Sequence, residues 1–293
     1  MTMVKPGLKI RFRAGTRICA LGTVLVLALA GFQPVAAKGA GVRFKDEVFA
    51  EVRVTKDVLY LPRPGIGRDG QGLRLDIYEP AGDSLAARPL MVWVHGGGFY
   101  RGGKTDEWMT ALAEHFARCG FVCASIEYRL LLGGPKDWLK PEDLRRAAGV
   151  AVEDARAALC HLVGHAKSYR LDPAEVILGG GSAGAFVALQ AAAGGEDRRC
   201  EAKVRAVIDF WGGLVDVSSM KPGFPPLLII HGTQDRTVPF SSARRLAARA
   251  SEVGVTCVLR PIEGEGHAPW EHLKTYLAWV HEFLGRIPFD RRP

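Results

Sequence analysis

The sequence predicts an α/β fold in which a mostly parallel central sheet carries helices on both faces. From residue 90 onwards, short apolar runs alternate with longer segments of helical periodicity, which is typical of crossover connections in a parallel sheet. The 293 residues contain no low-complexity stretch, internal repeat or linker. We therefore expect one large domain, with its functional residues at the carboxyl ends of the strands.

The first predicted elements are two half-buried antiparallel strands, because residues 48–54 and 73–78 alternate apolar and polar side chains. Residues 90–94 are continuously apolar, as expected of a strand buried on both faces. Asp172-Pro173 is expected to break the chain before a strand over 175–178. The remaining predicted strands are 121–128, 204–210, 227–231 and 255–261, and the predicted helices are 108–117, 142–165, 185–193, 242–252 and 270–284.

The first 37 residues have a different composition from the rest of the chain. Five basic side chains precede the uncharged run 18–32, and Val35-Ala36-Ala37 then supplies small residues for cleavage. This pattern predicts a signal peptide over 1–37, a domain over 38–293 and export to the periplasm or the medium. An uncleaved N-terminal membrane anchor is the alternative.

The charge of the chain depends on that segment. The formal net charge is +8, and residues 1–37 hold five basic and no acidic side chains, so the remainder carries +3. The small net charge beyond residue 37 therefore gives little support for a nucleic-acid partner, and none is predicted. The oligomeric state is left open.

A serine stands on a predicted strand-to-helix turn. Gly180-Gly181-Ser182-Ala183-Gly184 follows an apolar run and precedes a helix of small residues. Small neighbours allow a sharp turn that holds the hydroxyl above the sheet in a strained conformation. We expect Ser182 to be a nucleophile.

Three consecutive glycines, Gly96, Gly97 and Gly98, follow the buried strand 90–94. Their backbone N–H groups can face an incoming oxygen without obstruction by side chains, as an oxyanion hole requires. Gly97, Gly98 and Ala183 are the predicted donors. His95 is expected to brace the loop rather than act as a base.

The acid and the base are expected at two further strand ends. Asp235 follows the strand 227–231 and is the candidate acid, with Asp209 and Asp216 as alternatives. His267 lies on a glycine-rich loop after the strand 255–261 and is the candidate base, whereas His231 is expected to be structural. The order serine, aspartate, histidine is the one that the α/β-hydrolase fold uses.

No metal-ligand spacing or phosphate-binding loop is apparent, so no cofactor and no metal are predicted. Beyond residue 37 the chain has five cysteines, most of which are expected to be small buried hydrophobic residues. A disulfide that involves Cys200 is conceivable, without an assigned partner. The other four are Cys119, Cys123, Cys160 and Cys257.

These motifs resemble the α/β-hydrolase superfamily, and within it the HGGG-type esterases and lipases, close to hormone-sensitive-lipase-like and to feruloyl- or acetyl-esterase-like bacterial enzymes. The similarity runs from about residue 73 to the C-terminus. Two features depart from the hormone-sensitive-lipase-like group: Gly181 stands where an acidic residue is usual, and the N-terminal cap is reduced. The matching segments are His95-Gly96-Gly97-Gly98-Phe99, Glu127-Tyr128-Arg129-Leu130, Asp172-Pro173, Gly180-Gly181-Ser182-Ala183-Gly184, His231-Gly232-Thr233-Gln234-Asp235 and Gly264-Glu265-Gly266-His267.

The resemblance implies a serine carboxylesterase that acts on a small-molecule ester, with short acyl chains or carbohydrate-linked esters favoured. Only residues 211–225 separate two predicted strands, which leaves room for a small lid and no helical cap. The alternatives are a prolyl-oligopeptidase-like serine peptidase and a non-catalytic binding protein of the same fold. The expected pocket walls are Leu131, Trp138, Trp211 and Phe224.

Overall fold

An eight-stranded sheet forms the centre of the computed structural model, which describes residues 41–134, 141–194 and 200–287. The strands are β1 (Val52–Pro62), β2 (Gly72–Pro80), β3 (Arg88–Val94), β4 (Val122–Ile126), β5 (Leu171–Gly181), β6 (Val204–Phe210), β7 (Leu227–Gly232) and β8 (Cys257–Ile262). Their order in the sheet is β1-β2-β4-β3-β5-β6-β7-β8. β2 is antiparallel to both of its neighbours, and all other neighbouring pairs are parallel. The mostly parallel sheet predicted from the sequence is confirmed.

Helices cover both faces of the sheet. In the described part of the chain they are α1 (Glu107–Arg118), α2 (Pro141–Gly164), α3 (Ala166–Tyr169), α4 (Ala183–Ala193), α5 (Ser241–Glu252) and α6 (Leu273–Leu284). Leu112 of α1 and Val280 of α6 belong to the apolar core on one face, whereas Leu162 of α2, Val187 of α4 and Leu246 of α5 belong to the core on the other. 3₁₀ turns lie at Val217–Ser219 and Trp270–His272, so the last predicted helix begins three residues later than expected.

β1 is longer than predicted and runs through residues that the sequence assigns to a loop. A register shift lies between Thr55 and Val58, and the intervening Asp57 has a φ of 60°. Asp57 N–H donates to Asp76 Oδ1 at 2.7 Å, which fixes this irregularity to β2. The bulge interrupts the alternation of apolar and polar side chains. The sequence pattern beyond residue 55 therefore does not predict a strand.

β5 also extends beyond its prediction, since it begins at Leu171 and includes the expected break at Asp172-Pro173. Leu171 and Asp172 pair with the first two residues of β3, and the ladder then shifts register before Val176. Pro173 lies within that shift, where a regular ladder hydrogen bond is not required of it. The expected chain break is therefore wrong, because the irregularity is accommodated inside the strand.

A disulfide joins Cys160 of α2 to Cys200, with the two Cα atoms 5.1 Å apart. Cys119 and Cys123 are buried as free thiols, in agreement with the prediction, and Cys257 is partly buried. The predicted signal segment 1–37 and the expected pocket residue Trp138 lie outside the described residues. Among the residues that are described, no helix has the length and apolar character needed to cross a membrane.

Candidate active site

Ser182 stands between the end of β5 and the start of α4, with φ 53° and ψ −121°. Few non-glycine residues adopt such a conformation, which costs of the order of 1–3 kcal/mol. The glycines around it allow the turn to approach β3: a Cβ at Gly180 would lie 2.6 Å from the Val94 carbonyl oxygen, and one at Gly184 would collide with the same atom. Ser182 N–H donates to Phe210 O at 2.9 Å, which anchors the turn to β6.

The hydroxyl of Ser182 is the first member of a hydrogen-bonded chain. Its Oγ lies 2.9 Å from His267 Nε2, and His267 Nδ1 lies 2.7 Å from Asp235 Oδ2. These partners fix the tautomer, because the carboxylate accepts from Nδ1–H and Nε2 is then able to accept the serine proton. The structure thus brings together the three side chains that the sequence predicts as nucleophile, base and acid.

Asp235 is held by four donors in a buried position. Its Oδ1 accepts from Thr237 N–H at 2.8 Å and Val238 N–H at 2.9 Å, and its Oδ2 faces both His267 and His231. Burial alone would raise the pKa of Asp235, but the hydrogen bonds from His231, His267 and the Val238 backbone hold it well below its usual range. Asp235 is therefore a fixed anion beside the imidazole of His267.

The two alternative acids have other partners. Asp209 is buried and accepts from Gly212 N–H at 2.7 Å, and burial raises its pKa to about 6. Asp216 caps the 3₁₀ turn by accepting from Ser218 N–H and Oγ–H. Of the three aspartates, the structure places Asp235 against His267.

His231 has a contact that the sequence did not predict. It is completely buried, and its Nε2–H is shared between Val238 O at 2.8 Å and Asp235 Oδ2 at 3.2 Å. Burial lowers the pKa of His231, but the neighbouring carboxylates of Asp235 and Asp209 raise it above its ordinary value. The sequence signal for this contact is that His231 lies four residues before Asp235, at the end of the strand that leads into the loop of Asp235.

Tyr128 supports the glycine loop after β3 through hydrogen bonds and ring stacking. The Tyr128 hydroxyl donates to His95 O at 3.0 Å and lies 3.3 Å from Gly96 O, and the His95 ring stacks on the Tyr128 ring at 4.3 Å. Burial lowers the pKa of His95 to about 4, so its ring is neutral at neutral pH. His95 therefore lies in the position of a brace, as expected from the sequence.

The predicted oxyanion donors line or flank one cavity. Gly97 and Gly98 have φ values of 102° and 65° and border the same cavity as Ser182 and His267. Ala183 is the first residue of α4, where backbone N–H groups have no partner within the helix and the helix dipole favours negative charge. The role of these three N–H groups stays a prediction.

The cavity has a volume of about 630 Å³ and an aromatic wall beside the nucleophile. Trp211 lies on this wall, as predicted, and is joined by Trp270, which the sequence analysis missed; their ring centroids are 4.7 Å apart. A Cβ at Gly181 would make a tight contact with Trp270 at 3.3 Å and an ordinary van der Waals contact with Trp211 at 3.6 Å. The absence of a side chain at Gly181 therefore leaves room for close packing of Trp270 against the turn.

The two other described residues expected on the pocket wall lie elsewhere. Leu131 borders a neighbouring cavity of about 350 Å³ beside Tyr128, and Phe224 is buried in the apolar core. Tyr100, Arg101 and Asp106 also line the cavity and supply polar groups. The described segment between β6 and β7 contains one regular element, the 3₁₀ turn Val217–Ser219. This agrees with the small lid expected there.

A family model described as BD-FAE matches residues 75–224, a stretch that includes the glycine loop and Ser182 and ends before Asp235. The probable carboxylic ester hydrolase LipM of Mycobacterium tuberculosis is 25% identical over 61% of this chain and 40% of its own length. The probable isoprenylcysteine alpha-carbonyl methylesterase ICME of Oryza sativa is 25% identical over 89% of this chain and 67% of its own. The chain thus spans about two fifths of LipM and two thirds of ICME.

Solved esterase structures match the described fold over nearly their whole length. The propionate-bound esterase 2 of Thermogutta terrifontis is 27% identical, with a TM-score of 0.66 over 85% of this chain and 98% of the esterase. The same esterase phosphoramylated by tabun gives a TM-score of 0.67 at 26% identity, over 84% of this chain and 98% of the esterase. The fold of this chain is therefore one that occurs in esterases.

Proposed function

Because this chain belongs to the BD-FAE family and has the α/β-hydrolase fold, we propose that it is a serine carboxylesterase for short-chain or carbohydrate-linked esters. The observation that carries the proposal is the continuous hydrogen-bonded chain from Ser182 through His267 to Asp235, at the edge of an open cavity. The chemistry is acyl transfer to water through an acyl-enzyme.

The reaction proceeds in two halves. Ser182 Oγ attacks the ester carbonyl while His267 Nε2 takes its proton, and the new oxyanion is stabilised by the N–H groups of Gly97, Gly98 and Ala183. The tetrahedral intermediate collapses, and His267 returns the proton to the leaving alcohol. Water, deprotonated by His267, then attacks the acyl-enzyme, and the carboxylic acid leaves as Ser182 recovers its proton. Asp235 stays ionised throughout and stabilises the imidazolium.

The walls of the cavity support the choice of substrate class. The space next to Ser182 is bounded by Trp211, Trp270 and Met109, which suits a short apolar acyl chain. The same cavity is also lined by Tyr100, Arg101 and Asp106, whose polar groups suit a hydroxyl-rich alcohol. Esterase 2 of Thermogutta terrifontis has been solved with propionate and with butyrate, which is in line with a short acyl group here.

Export is a further part of the proposal and rests on residues 1–37, with their basic start, uncharged run and small residues before Lys38. When the full chain is expressed in a bacterial host, N-terminal sequencing of the protein in the periplasm or the medium should give Lys38 as the first residue. Detection of full-length protein in the membrane fraction would instead support the anchored alternative.

The test of function is an acyl-length profile of kcat/KM. We expect p-nitrophenyl acetate, p-nitrophenyl butyrate and a sugar acetate to be hydrolysed, long-chain esters to react slowly, and aminoacyl-proline amides not to react. Cleavage of the amides would favour the peptidase, and no turnover of any substrate would favour the non-catalytic reading.

Matched variants connect that activity to the site. Ser182→Ala and Asp235→Asn should each lower kcat by about 10⁴-fold or more while the far-ultraviolet circular dichroism stays that of the wild type. Asp216→Asn, which changes an aspartate away from His267, should stay within about two-fold of the wild type. An active Ser182→Ala protein would contradict the assignment of the nucleophile.

A further inference from the structure

A second cluster of reactive side chains contains His115, Cys119 and His281. His115 Nε2 lies 2.8 Å from His281 Nε2, and Cys119 Sγ lies 3.9 Å from each of these nitrogens. A fourth residue, Glu47, places its Oε1 2.7 Å from His115 Nδ1. None of these groups takes part in the acyl-transfer chemistry.

The cluster joins the C-terminal ends of two helices. His115 is in the last turn of α1 and Cys119 is its C-cap, so the two side chains lie one turn apart on the same face. His281 is in the last turn of α6. Helix C-termini carry partial negative charge, so a cation is favoured where two such ends meet.

We propose that His115, Cys119 and His281 form a binding site for a divalent metal ion of the zinc class. Zinc bonds of about 2.0–2.1 Å to nitrogen and 2.3 Å to sulfur, at tetrahedral angles, place two nitrogens about 3.3 Å apart and nitrogen and sulfur about 3.6 Å apart. The distances in the cluster differ from these values by a few tenths of an ångström. Metal binding requires the two imidazole nitrogens to move apart, and Cys119 Sγ to move closer to them, by these amounts.

The surroundings of His115 are those expected of a metal-ligating histidine, whereas His281 Nδ1 is buried without a hydrogen-bond partner among the described residues. Glu47 accepts from the Nδ1–H of His115, the arrangement in which a carboxylate orients a ligating imidazole and leaves Nε2 for the metal. The ring of Phe116 lies 5.1 Å from His115 and 5.0 Å from His281, so an apolar side chain borders the ligands. Together the thiolate of Cys119 and the carboxylate of Glu47 balance the two positive charges of the ion.

The ligand set selects the kind of metal. Two imidazoles and one thiolate suit zinc and related transition metals, whereas magnesium and calcium prefer oxygen ligands. On binding, the Cys119 thiol releases its proton to solvent, and each histidine carries its remaining proton on Nδ1. A water molecule would supply the fourth ligand of a tetrahedral ion, and the bound ion would fix α6 to α1.

Metal uptake by the wild-type protein is the first test. Protein stripped with a chelator should bind one zinc ion per chain, measured by elemental analysis after dialysis, and should bind no magnesium. Cobalt should give a thiolate-to-metal charge-transfer absorption, which requires cysteine as a ligand. Zinc at about 100 times its Kd should raise the Tm by about 5–10 °C.

Variants then locate the site. Cys119→Ala and His281→Gln should each weaken zinc binding by at least about 10-fold, and Cys119→Ala should abolish the cobalt charge-transfer band. Cys257→Ser, which removes a free cysteine elsewhere, and His272→Gln should bind zinc as the wild type does. Ester hydrolysis at room temperature should be unchanged in all four variants.

Two results would overturn the proposal. The first is a wild-type protein that takes up less than one tenth of an equivalent of zinc or cobalt, in which case the two histidines form only a hydrogen bond. The second is a cobalt spectrum that persists in Cys119→Ala. The first result is measured on the wild-type protein and therefore does not depend on whether a variant folds.

Discussion

His231 Nε2 lies 3.2 Å from Asp235 Oδ2, the same oxygen that lies 2.7 Å from Nδ1 of His267. Two histidines therefore converge on one atom of the buried carboxylate. The contact with His267 belongs to the proposed catalytic chain, whereas the contact with His231 fixes the carboxylate from the side of β7. We therefore predict that His231 acts on the reaction through Asp235, as a positioning residue.

Replacement of His231 by phenylalanine tests this relationship. We expect kcat to fall about 10-fold with KM nearly unchanged, because the orientation of Asp235 affects the transition state and not substrate binding. His231→Gln retains an N–H donor and should recover part of kcat. Steady-state kinetics on p-nitrophenyl acetate provide the measurement; equal rates for the phenylalanine variant and the wild type would exclude the positioning role.

The acidic limb of the pH profile should reflect one protonation. The pKa of Asp235 is held well below its usual range, so its carboxylate stays ionised above about pH 4 and adds no protonation of its own there. A plot of log kcat/KM against pH should therefore have a limiting slope no steeper than about 1 above about pH 4. A slope of 2 would mean that the carboxylate also takes up a proton in this range.

The same shift has a consequence for stability. Because the folded-state pKa of Asp235 is depressed, its ionised form stabilises the fold above its ordinary pKa of about 3.9, and that contribution is lost as the pH falls through the lower folded value. Circular dichroism over the pH range of the kinetic assay separates loss of activity from loss of fold.

Tyr128→Phe tests the support of the glycine loop. Removal of the hydroxyl leaves the buried carbonyls of His95 and Gly96 without this donor, which should cost about 1–2 kcal/mol of unfolding free energy. Loosening of the loop should lower kcat by about 10-fold. Tyr169→Phe, which alters a tyrosine away from the loop, should have wild-type kcat. Urea unfolding and kinetics on both variants decide the matter.

The disulfide Cys160–Cys200 should contribute to stability by restricting the unfolded chain. Its ends are 40 residues apart, which corresponds to about 4 kcal/mol if loop entropy dominates. Cys200→Ser should therefore lower the unfolding free energy by about this amount, and Cys257→Ser should change it little. If urea midpoints of the wild type are the same with and without reductant, the disulfide has no such role.

The turn at Ser182 could be predicted because its geometry is imposed locally. Glycines at 180 and 184 are needed for the approach of this turn to β3, and this requirement is visible in five consecutive residues. The proximity of Asp235 and His267 to Ser182 could be predicted because each follows a strand, and strand ends meet at one edge of a parallel sheet.

Other features depend on tertiary contacts that a linear pattern does not contain. β1 continues past its bulge because Asp57 hydrogen-bonds to Asp76, and β5 begins early because Leu171 pairs with Arg88. Trp270 was assigned to a helix, and its place on the cavity wall depends on its contact with Trp211. In each case the deciding partner is distant in the chain.

Trp270 lies edge-to-face with Trp211 at 4.7 Å and stacks on Trp108 at 5.4 Å, and both Trp270 and Trp211 border the cavity beside Ser182. Indole emission depends on the immediate surroundings of the ring, so a ligand that enters this cavity should change the intrinsic fluorescence of the protein. Occupancy can then be titrated optically in the Ser182→Ala variant, without turnover and without a labelled substrate. The aromatic wall is in this respect a built-in reporter of binding.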